Sequence, residues 1–376
     1  MIAPHRTERL RILVIAPSRH PIAEPHAGGL EAAVWDRVHA LRTAGHRVTL
    51  VASHGSDFLD ETPVELRLPS VAWTGPVTSD EAYPPGYVDE VAAVLARLVD
   101  RLERDPRAFD VIDNHSLHPL PVASSGSHGI PMLTTLHTPP LPELVDAAAQ
   151  AGPAHAFLAV SSHTAGEWRA LGVDATVQSN VVDPDAWPFG RGGADPIWFG
   201  RIVPEKGPHL AIEAARLLGR PLTLAGRVGD VDYFERSIAP HVGHGVRHIG
   251  ALRRSRLARL VGGSGVALVT PRWEEPFGLV LAEALITGTP VASFARGGVV
   301  EVLDGLPGTR LVPPDDVDAL AAAAQELLAI PRSERRRIRE HALERFSATA
   351  RRADLDAMLS RHASLAARSD AAAVAS

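Results

Sequence analysis

Two glutamates near residue 280 have a spacing that suggests chemistry. Glu275 and Glu283 stand eight residues apart in the stretch PRWEEPFGLVLAEALITGTP. At ~1.5 Å per helical residue this separation is roughly 12 Å, which is too far for two carboxylates to share one proton. The pair therefore fits an elongated, hydroxyl-rich ligand that each carboxylate contacts at a different group.

The segments around these glutamates predict a ligand-binding sheet edge. The preceding run VALVT is typical of a buried strand, and open α/β sheets bind ligands beyond the carboxyl ends of such strands. The next helix is predicted to open at Phe277 and Gly278, so that free backbone N–H groups up to Leu279 face the ligand. Gly297 and Gly298 would bring bare backbone to the same edge.

Two cations follow another predicted strand. Arg201 and Lys206 flank a turn in FGRIVPEKG, after the strand-like run PIWFG. A guanidinium fork and a compact ammonium in such a turn can grip a diphosphate. Lys206 is also the only lysine among 38 basic side chains. A solvated surface pair is the alternative explanation for any isolated arginine and lysine.

Composition excludes several other classes of chemistry. The chain of 376 residues has no cysteine, which excludes disulfides, thiolate metal sites and a cysteine nucleophile. Its net charge of −6 argues against nucleic acid and anionic membranes as partners, and no apolar run is long enough for a transmembrane segment. Because no secretory cleavage site follows the first apolar run, a cytoplasmic location is expected.

Common nucleotide and catalytic motifs are missing. The single lysine stands in EKG, so there is no Walker loop, and no three-glycine dinucleotide fingerprint follows the first strand. No Gly-x-Ser-x-Gly turn offers a serine nucleophile. The Asp-x-Asp pair occurs four times, beginning at Asp183, Asp230, Asp316 and Asp354, and therefore identifies no metal site.

The apolar pattern predicts two parallel sheets wound with helices. Short β-branched runs alternate with segments of helical period up to about residue 180, and the alternation starts again at 196. The join is expected in the Pro- and Gly-rich stretch 181–196. The predicted strands are 11–16, 46–53, 109–113, 132–136 and 156–160 in the first unit, and 196–200, 222–226, 246–250, 266–270, 291–295 and 309–313 in the second.

Together the segments of the second half resemble the E-x7-E signature of retaining glycosyltransferases, in particular family 4 with the GT-B architecture. The resemblance includes EPFGL, EA and GTPV around Glu275 and Glu283. FGRIVPEKG is similar to the family element whose Arg and Lys, here Arg201 and Lys206, bind the diphosphate of the donor.

The resemblance extends over most of the chain. APSRHPIAEPHAGGLEAAV is similar to the family's first loop, where Gly28 and Gly29 would let the backbone approach the phosphate and the acceptor. His115 in VIDNHS and His137 in LTTLHTPP are similar to histidines that family members place around the reacting sugar. Two positions depart from the family pattern: Val181 stands where a glycine is frequent, and Val299 where a proline is. Glu301 is therefore expected to cap a helix and not to act in catalysis.

The resemblance implies two Rossmann-like, doubly wound α/β domains that face a central cleft. Residues 1–183 would form the acceptor domain and residues 184–346 the nucleotide-sugar donor domain. A helix at 347–365 would cross back onto the first domain, and 366–376 would be a disordered tail.

The implied reaction is transfer of a sugar from a UDP- or GDP-sugar to a hydroxyl acceptor, with retention and without a metal or another cofactor. His137, Arg201, Lys206 and Glu275 would be the catalytic residues. Glu275 and the backbone of residues 277–279 would hold the sugar, and Glu283 the ribose. His115, Gly297 and Gly298 would lie on the acceptor side. A front-face mechanism, in which the leaving diphosphate takes the proton of the acceptor, is the expected route.

Three other functional hypotheses fit the same sequence: a sugar-nucleotide epimerase, a phosphorylase-like enzyme on the same architecture, and a non-catalytic sugar-nucleotide binding module. The acceptor, a small molecule or a lipid-linked hydroxyl compound, is not predicted further. Its contacts are expected in variable loops such as 73–87, which alternatively is only a surface lid. The sequence predicts no oligomeric state.

Overall fold

The first part of the chain forms a six-stranded parallel sheet. In this computed structural model, which describes residues 9–71 and 82–374, its strands run in the order β2-β1-β3-β4-β5-β6. The strands are β1 (Arg11–Ile15), β2 (Arg47–Val51), β3 (Val111–Asn114), β4 (Met132–Leu136), β5 (His155–Ala159) and β6 (Ala175–Val177). The helices are α1 (Gly29–Thr43), α2 (Tyr87–Arg104), α3 (Pro119–Ala123), α4 (Ser125–His128), α5 (Pro142–Ala148) and α6 (Ser162–Arg169). We call this part the first unit.

The second unit repeats the arrangement with a sheet of order β12-β11-β10-β7-β8-β9. Its strands are β7 (Pro196–Phe199), β8 (Leu222–Ala225), β9 (Val246–His248), β10 (Val266–Val269), β11 (Val291–Phe294) and β12 (Thr309–Val312). The helices of this unit are α7 (Pro208–Leu217), α8 (Val231–Ser237), α9 (Arg254–Gly262), α10 (Leu279–Ile286), α11 (Val299–Leu303), α12 (Val317–Leu328) and α13 (Arg332–Phe346), and a last helix, α14 (Ala348–Val374), follows them in the chain. The predicted α/β fold class, two doubly wound parallel sheets, is confirmed.

Helices cover both faces of each sheet, which explains why the strands are apolar throughout. Alternate residues of β1 enter two different cores, Ile12 and Val14 on one face and Leu13 and Ile15 on the other. This is the side-chain alternation of a strand buried on both sides. The strand order reverses between β1 and β3 and again between β7 and β10. Open α/β sheets bind ligands at the carboxyl ends of strands flanking such reversals.

The two crossings between the units lie side by side. Val182 forms an isolated parallel bridge with Ser347, in which N–H of Val182 donates to the Phe346 carbonyl at 2.8 Å. Leu355 and Leu359 of α14 then pack in the core of the first unit. These contacts support the predicted division at residue 183, which stays a prediction.

Three details differ from the sequence-based expectations. The helix α14 runs to Val374, so residues 366–374 are helical and do not form a separate tail; their alanines are strong helix formers. Strand β6 was not predicted, because its three residues are too few to show a period. Helix α10 begins at Leu279, not at Phe277, since Gly278 adopts a left-handed φ of 77°. Glu275 therefore lies in a loop, and the helical estimate of 12 Å to Glu283 does not apply.

Candidate active site

A cleft of about 1440 Å³ lies where the two units face each other. Residues at the carboxyl ends of β1, β3 and β4 form one wall, and residues at the ends of β7, β8 and β10 form the other. Both reversals of strand order therefore open into it. The predicted site residues that line the cleft are Gly28, Gly29, His137, Arg201, Lys206, Glu275, Phe277, Gly278, Leu279 and Glu283.

Lys206 is held at the cleft by a turn that is fastened to the neighbouring strand. It ends a short 3-10 helix, Pro204–Lys206, and Gly207 follows with a φ of 59°. A Cβ on Gly207 would lie 2.3 Å from the carbonyl oxygen of Thr270, so no other residue fits without displacement. The Thr270 hydroxyl lies 3.0 Å from the Lys206 carbonyl and 2.9 Å from that of Gly207. The turn after β7 is thus fixed against the end of β10.

The ammonium of Lys206 contacts the carboxylate of Glu275. Its Nζ donates to Oε2 at 2.5 Å, and the indole N–H of Trp273 donates to the same oxygen at 2.8 Å. Nζ also lies 4.7 Å from the centre of the Trp273 ring, within the range of a cation–π contact. Trp273 was not among the residues predicted from the sequence, although its position two residues before Glu275 was the available signal. A bound anion would compete with Glu275 for the ammonium.

Arg201 lies where the units approach each other closely. A Cβ on Gly28 would stand 3.4 Å from Cδ of Arg201, and a Cβ on Gly29 would stand 3.7 Å from Cβ of Leu279. The two glycines therefore leave room for Arg201 and Leu279 of the second unit next to the start of α1. Arg201 also faces Glu205 at 4.0 Å.

Glu283 projects from α10 into a buried part of the cleft. Only 9% of its surface is exposed, and this burial raises the pKa of its carboxyl to about 8. The neighbouring Arg254 acts in the opposite direction, and Asp36 adds to the rise. Glu283 is therefore largely protonated at neutral pH, in a position where it can both donate and accept hydrogen bonds.

This raised pKa predicts a pH-dependent stability. The unfolded chain releases the Glu283 proton near pH 4.5 and the folded protein near pH 8, so the stabilisation is complete below pH 4.5 and disappears as the pH rises through 8. Within that window the free energy of unfolding should fall by up to about 1.4 kcal/mol per pH unit because of this group. The substitution Glu283→Gln should remove this slope.

Chemical unfolding of the unmodified protein and of Glu283→Gln between pH 6.5 and 8 measures how the free energy of unfolding changes with pH. In this range the raised pKa of Asp36, about 6, contributes little. The exposed Glu340 of α13 supplies the control Glu340→Gln. Equal slopes for the unmodified protein and Glu283→Gln would contradict the prediction.

Gly297 and Gly298 do not line the cleft; they support the loop that carries Glu275. The N–H of Gly298 donates to the Glu275 carbonyl at 2.8 Å, and a Cβ on Gly297 would lie 2.6 Å from the Glu275 backbone nitrogen. Their predicted place on the acceptor side is therefore replaced by a packing role. Bare backbone is needed here because two loops cross in contact.

The two predicted histidines are neighbours, but only one reaches the cleft. His137 follows β4 and lines the cleft, whereas His115 follows β3 and is buried behind it. The Nδ1 of His115 and the Nε2 of His137 are 2.8 Å apart. Burial lowers the pKa of His137 well below its ordinary value, and the neighbouring His115 acts in the same direction, so the His137 ring is neutral near pH 7.

An arginine from the second unit enters the first unit beside the cleft. Arg254 of α9 donates to Asp36 at 2.5 Å and stacks over Trp35, with 4.9 Å from its guanidinium carbon to the ring centre. It also contacts His26 at 3.1 Å and faces Glu24 at 3.9 Å. Burial and Arg254 lower the pKa of His26 to about 4. This cluster was not predicted from the sequence, because one arginine among many gives no signal.

Glu301 caps a helix, as predicted, but the helix belongs to the other unit. Its carboxylate accepts from the N–H groups of Ser162 at 2.7 Å and His163 at 3.1 Å, at the start of α6. A carboxylate there also complements the positive end of the helix dipole. The contact therefore joins the two units behind the cleft.

Within residues 9–71 and 82–374 there is no group of three or more His, Asp or Glu side chains arranged to hold a metal ion. None of the helices described is both long and apolar enough to cross a membrane.

Of the loop 73–87, residues 73–81 lie outside the described residues, while Tyr83 and Tyr87 stack at the cleft with ring centres 5.5 Å apart.

Curated relatives match different lengths of the chain. A glycogen synthase from Mycobacterium tuberculosis is 36% identical over 178 residues, which are 44% of this chain and 42% of that protein. The chain thus spans less than half of that relative. A D-inositol 3-phosphate glycosyltransferase from Mycolicibacterium paratuberculosis is 29% identical over 373 residues, covering 86% of this chain and 83% of the relative.

Solved structures and family models agree on the fold. Anabaena HepE in complex with UDP and glucose has a TM-score of 0.71 at 19% identity, covering 94% of this chain and 100% of that chain. Sucrose-phosphate synthase from Thermosynechococcus elongatus has a TM-score of 0.72 at 19% identity, covering 93% and 98%. The family model for Glycosyltransferase Family 4 matches residues 27–186, and that for Glycosyl transferases group 1 matches residues 194–345. Since the two models together account for both units, the chain belongs to the family 4 glycosyltransferases of the GT-B fold.

Proposed function

We propose that this protein transfers a sugar from a nucleoside diphosphate sugar to a hydroxyl acceptor, with retention at the anomeric carbon and without a metal ion. The observation that carries the proposal is the meeting of two cations and two carboxylates in one cleft. Arg201 and Lys206 stand in the turn after β7, Glu275 in the loop before α10 and Glu283 on α10. All four line the cleft opposite the first unit.

The cations match the charge that develops during the reaction. Breaking the bond between the anomeric carbon and the phosphate leaves negative charge on the diphosphate oxygens and positive charge on the sugar. Lys206 and Arg201 would stabilise the diphosphate, and their fixed positions avoid reorganisation in the transition state. The charge that a metal ion supplies in other transferases would here come from these side chains.

The carboxylates would bind the two ends of the donor. Glu275, oriented by Lys206 and the Trp273 indole, would accept hydrogen bonds from the hydroxyls of the transferred sugar. The backbone of residues 277–279 at the start of α10 would assist. Glu283, deeper in the cleft, would contact the ribose hydroxyls, so its loss should mainly raise the KM for the donor.

Retention is proposed to follow from front-face attack. The acceptor oxygen bonds to the anomeric carbon on the side from which the diphosphate departs, and the departing phosphate oxygen takes the acceptor proton. The products are the glycoside and the nucleoside diphosphate. Glu275 is a poor nucleophile in this arrangement, because one of its oxygens already accepts from Lys206 and Trp273.

The test starts with donor binding. We expect one nucleoside diphosphate sugar from a panel of UDP- and GDP-sugars to stabilise the protein by ~2.7 kcal/mol when present at 100 times its Kd. UDP-sugars come first in the panel, because HepE, a structural neighbour, has been solved with UDP-glucose. The donor that binds is then incubated with hydroxyl acceptors, with and without EDTA, and the anomeric configuration of the product is determined by NMR.

Each alternative function gives a different product pattern. A changed sugar nucleotide from donor alone would indicate an epimerase, and a product formed only with inorganic phosphate would indicate a phosphorylase. Binding without transfer to any acceptor would indicate a binding module. An inverted product would contradict retention, and loss of activity in EDTA that Mg²⁺ restores would contradict the metal-free reaction.

A further inference from the structure

Four side chains form a continuous series that is buried at Asp113 and His115 and ends at the cleft. Arg37 of α1 contacts Asp113 of β3, Asp113 faces His115, and His115 contacts His137. The series crosses from the helix layer through two adjacent strands of the first unit. Of the four residues, only His137 lines the cleft. A change at any member therefore reaches the cleft through the His137 ring.

Asp113 sets the direction in which hydrogen bonds are donated along the series. It is fully buried and accepts from Nε of Arg37 at 2.6 Å and from Nη2 at 3.2 Å. Although burial alone would raise the pKa of Asp113, the charge of Arg37 and the contact with His115 hold it well below the ordinary range. Asp113 is therefore a carboxylate and can only accept hydrogen bonds.

A carboxylate at this position determines where His115 carries its proton. The Nε2 atom of His115 lies 3.3 Å from Oδ1 of Asp113, an ion-pair distance, and makes no hydrogen bond among the described residues. A lone pair on Nε2 would face the negative charge of Asp113 and be repelled, so the tautomer of His115 that fits this contact carries its proton on Nε2. Its Nδ1 then carries a lone pair and must accept from the Nε2 of His137.

We propose that His115 is a positioning residue: with Asp113 behind it, it holds the proton of His137 on Nε2 and leaves Nδ1 of His137 as a hydrogen-bond acceptor for the cleft. In the reverse tautomer the cleft would meet an N–H donor. The hydroxyl that Nδ1 accepts from would belong to the sugar or the acceptor, a step that rests on the proposed function. The tautomer itself does not depend on that function.

The direct test is nitrogen NMR of the full-length protein labelled with ¹⁵N-histidine. The His137 signals are assigned by comparison with the variant His137→Gln, since the chain has 18 histidines. We expect a protonated Nε2 and an unprotonated Nδ1 at pH 7 for His137. A protonated Nδ1, or a doubly protonated ring, would overturn the proposal. This result needs no substrate, so it remains informative if no transfer activity is found.

Two substitutions of His115 test the same assignment in catalysis. In His115→Gln the side-chain amide can donate to Asp113 and accept from His137, whereas His115→Leu can do neither. We expect kcat/KM to fall by roughly 10-fold to 100-fold in His115→Leu, which leaves buried polar groups unpaired. His115→Gln should recover about tenfold relative to His115→Leu while donor-induced stabilisation stays similar in both. Equal activities of the two variants would contradict the positioning role.

A third variant should reverse the direction of hydrogen-bond donation along the series. In Asp113→Asn, Arg37 retains the amide oxygen and the amide NH₂ faces His115, so the proton of His115 moves to Nδ1. His137 should then carry its proton on Nδ1, as seen by the same nitrogen spectrum. An unchanged His137 tautomer in folded Asp113→Asn would count against the mechanism. If this variant does not fold, the spectrum of the unmodified protein and the His115 pair still decide the question.

Discussion

Replacement of Lys206 by alanine is expected to lower kcat by about 10²-fold to 10³-fold, the range found when one stabiliser of developing charge is removed. In the proposed reaction the ammonium meets negative charge on the departing diphosphate, so its effect is larger in the transition state than in the bound donor. The KM for the donor should therefore change less than kcat. Initial rates at varied donor concentration, with the donor found in the binding screen, measure both constants.

A matched control separates the local effect of Lys206 from a general loss of positive charge. Arg220 is exposed after α7, and Arg220→Ala removes the same charge from the outside of the second unit. This variant should be as active as the unmodified protein. If Lys206→Ala keeps its kcat within about threefold of Arg220→Ala while remaining folded, Lys206 does not stabilise the transition state.

Glu275→Gln is expected to lower kcat/KM by about 10-fold to 100-fold, since hydrogen bonds to a charged group contribute ~1.5 to 3 kcal/mol. The substitution keeps the size of the side chain but removes the charge that orients Lys206 at 2.5 Å. Because these two side chains touch, their effects should not be additive. Kinetics of the two single variants and of the double variant Lys206→Ala/Glu275→Gln give the coupling directly.

The double variant should lose less activity than the product of the single losses. Once Lys206 is absent, Glu275 has only the Trp273 indole left on that oxygen, so part of its orienting role is already gone. The exposed Glu340→Gln serves as the control for a carboxylate outside the cleft. Strictly multiplicative losses would show that the contact between Lys206 and Glu275 has no part in the reaction.

Several contacts between the units surround the cleft and belong to its architecture. Arg254 with Asp36 lies beside Glu283, Glu301 caps α6, and Arg227 donates to the Ala27 carbonyl at 2.8 Å. The position of the first unit relative to the loops of the second unit thus depends in part on charged hydrogen bonds. Apolar contact adds to them, because Ala32 and Val160 of the first unit pack in the same buried cluster as Phe277 of the second.

The local sequence pattern was sufficient to predict most of the strands and most of the candidate residues that line the cleft. The alternation of apolar runs predicted eleven of the strands, and the family context of Glu275, Lys206 and Gly28 predicted residues that now line one cavity. The short β6 escaped because three residues carry no period. The start of α10 was misplaced by two residues because φ at Gly278 cannot be read from a motif.

Periodicity and motif context are local properties of the chain, and they were enough to predict two wound sheets, the family and a set of side chains suited to a diphosphate and a polyol. The contacts among these side chains come from the tertiary structure. It joined Lys206 to Glu275 and Trp273, buried Glu283 beside Arg254, and placed His115 between Asp113 and His137. Burial and pairing depend on residues distant in sequence, and these set the charge and proton position of each group.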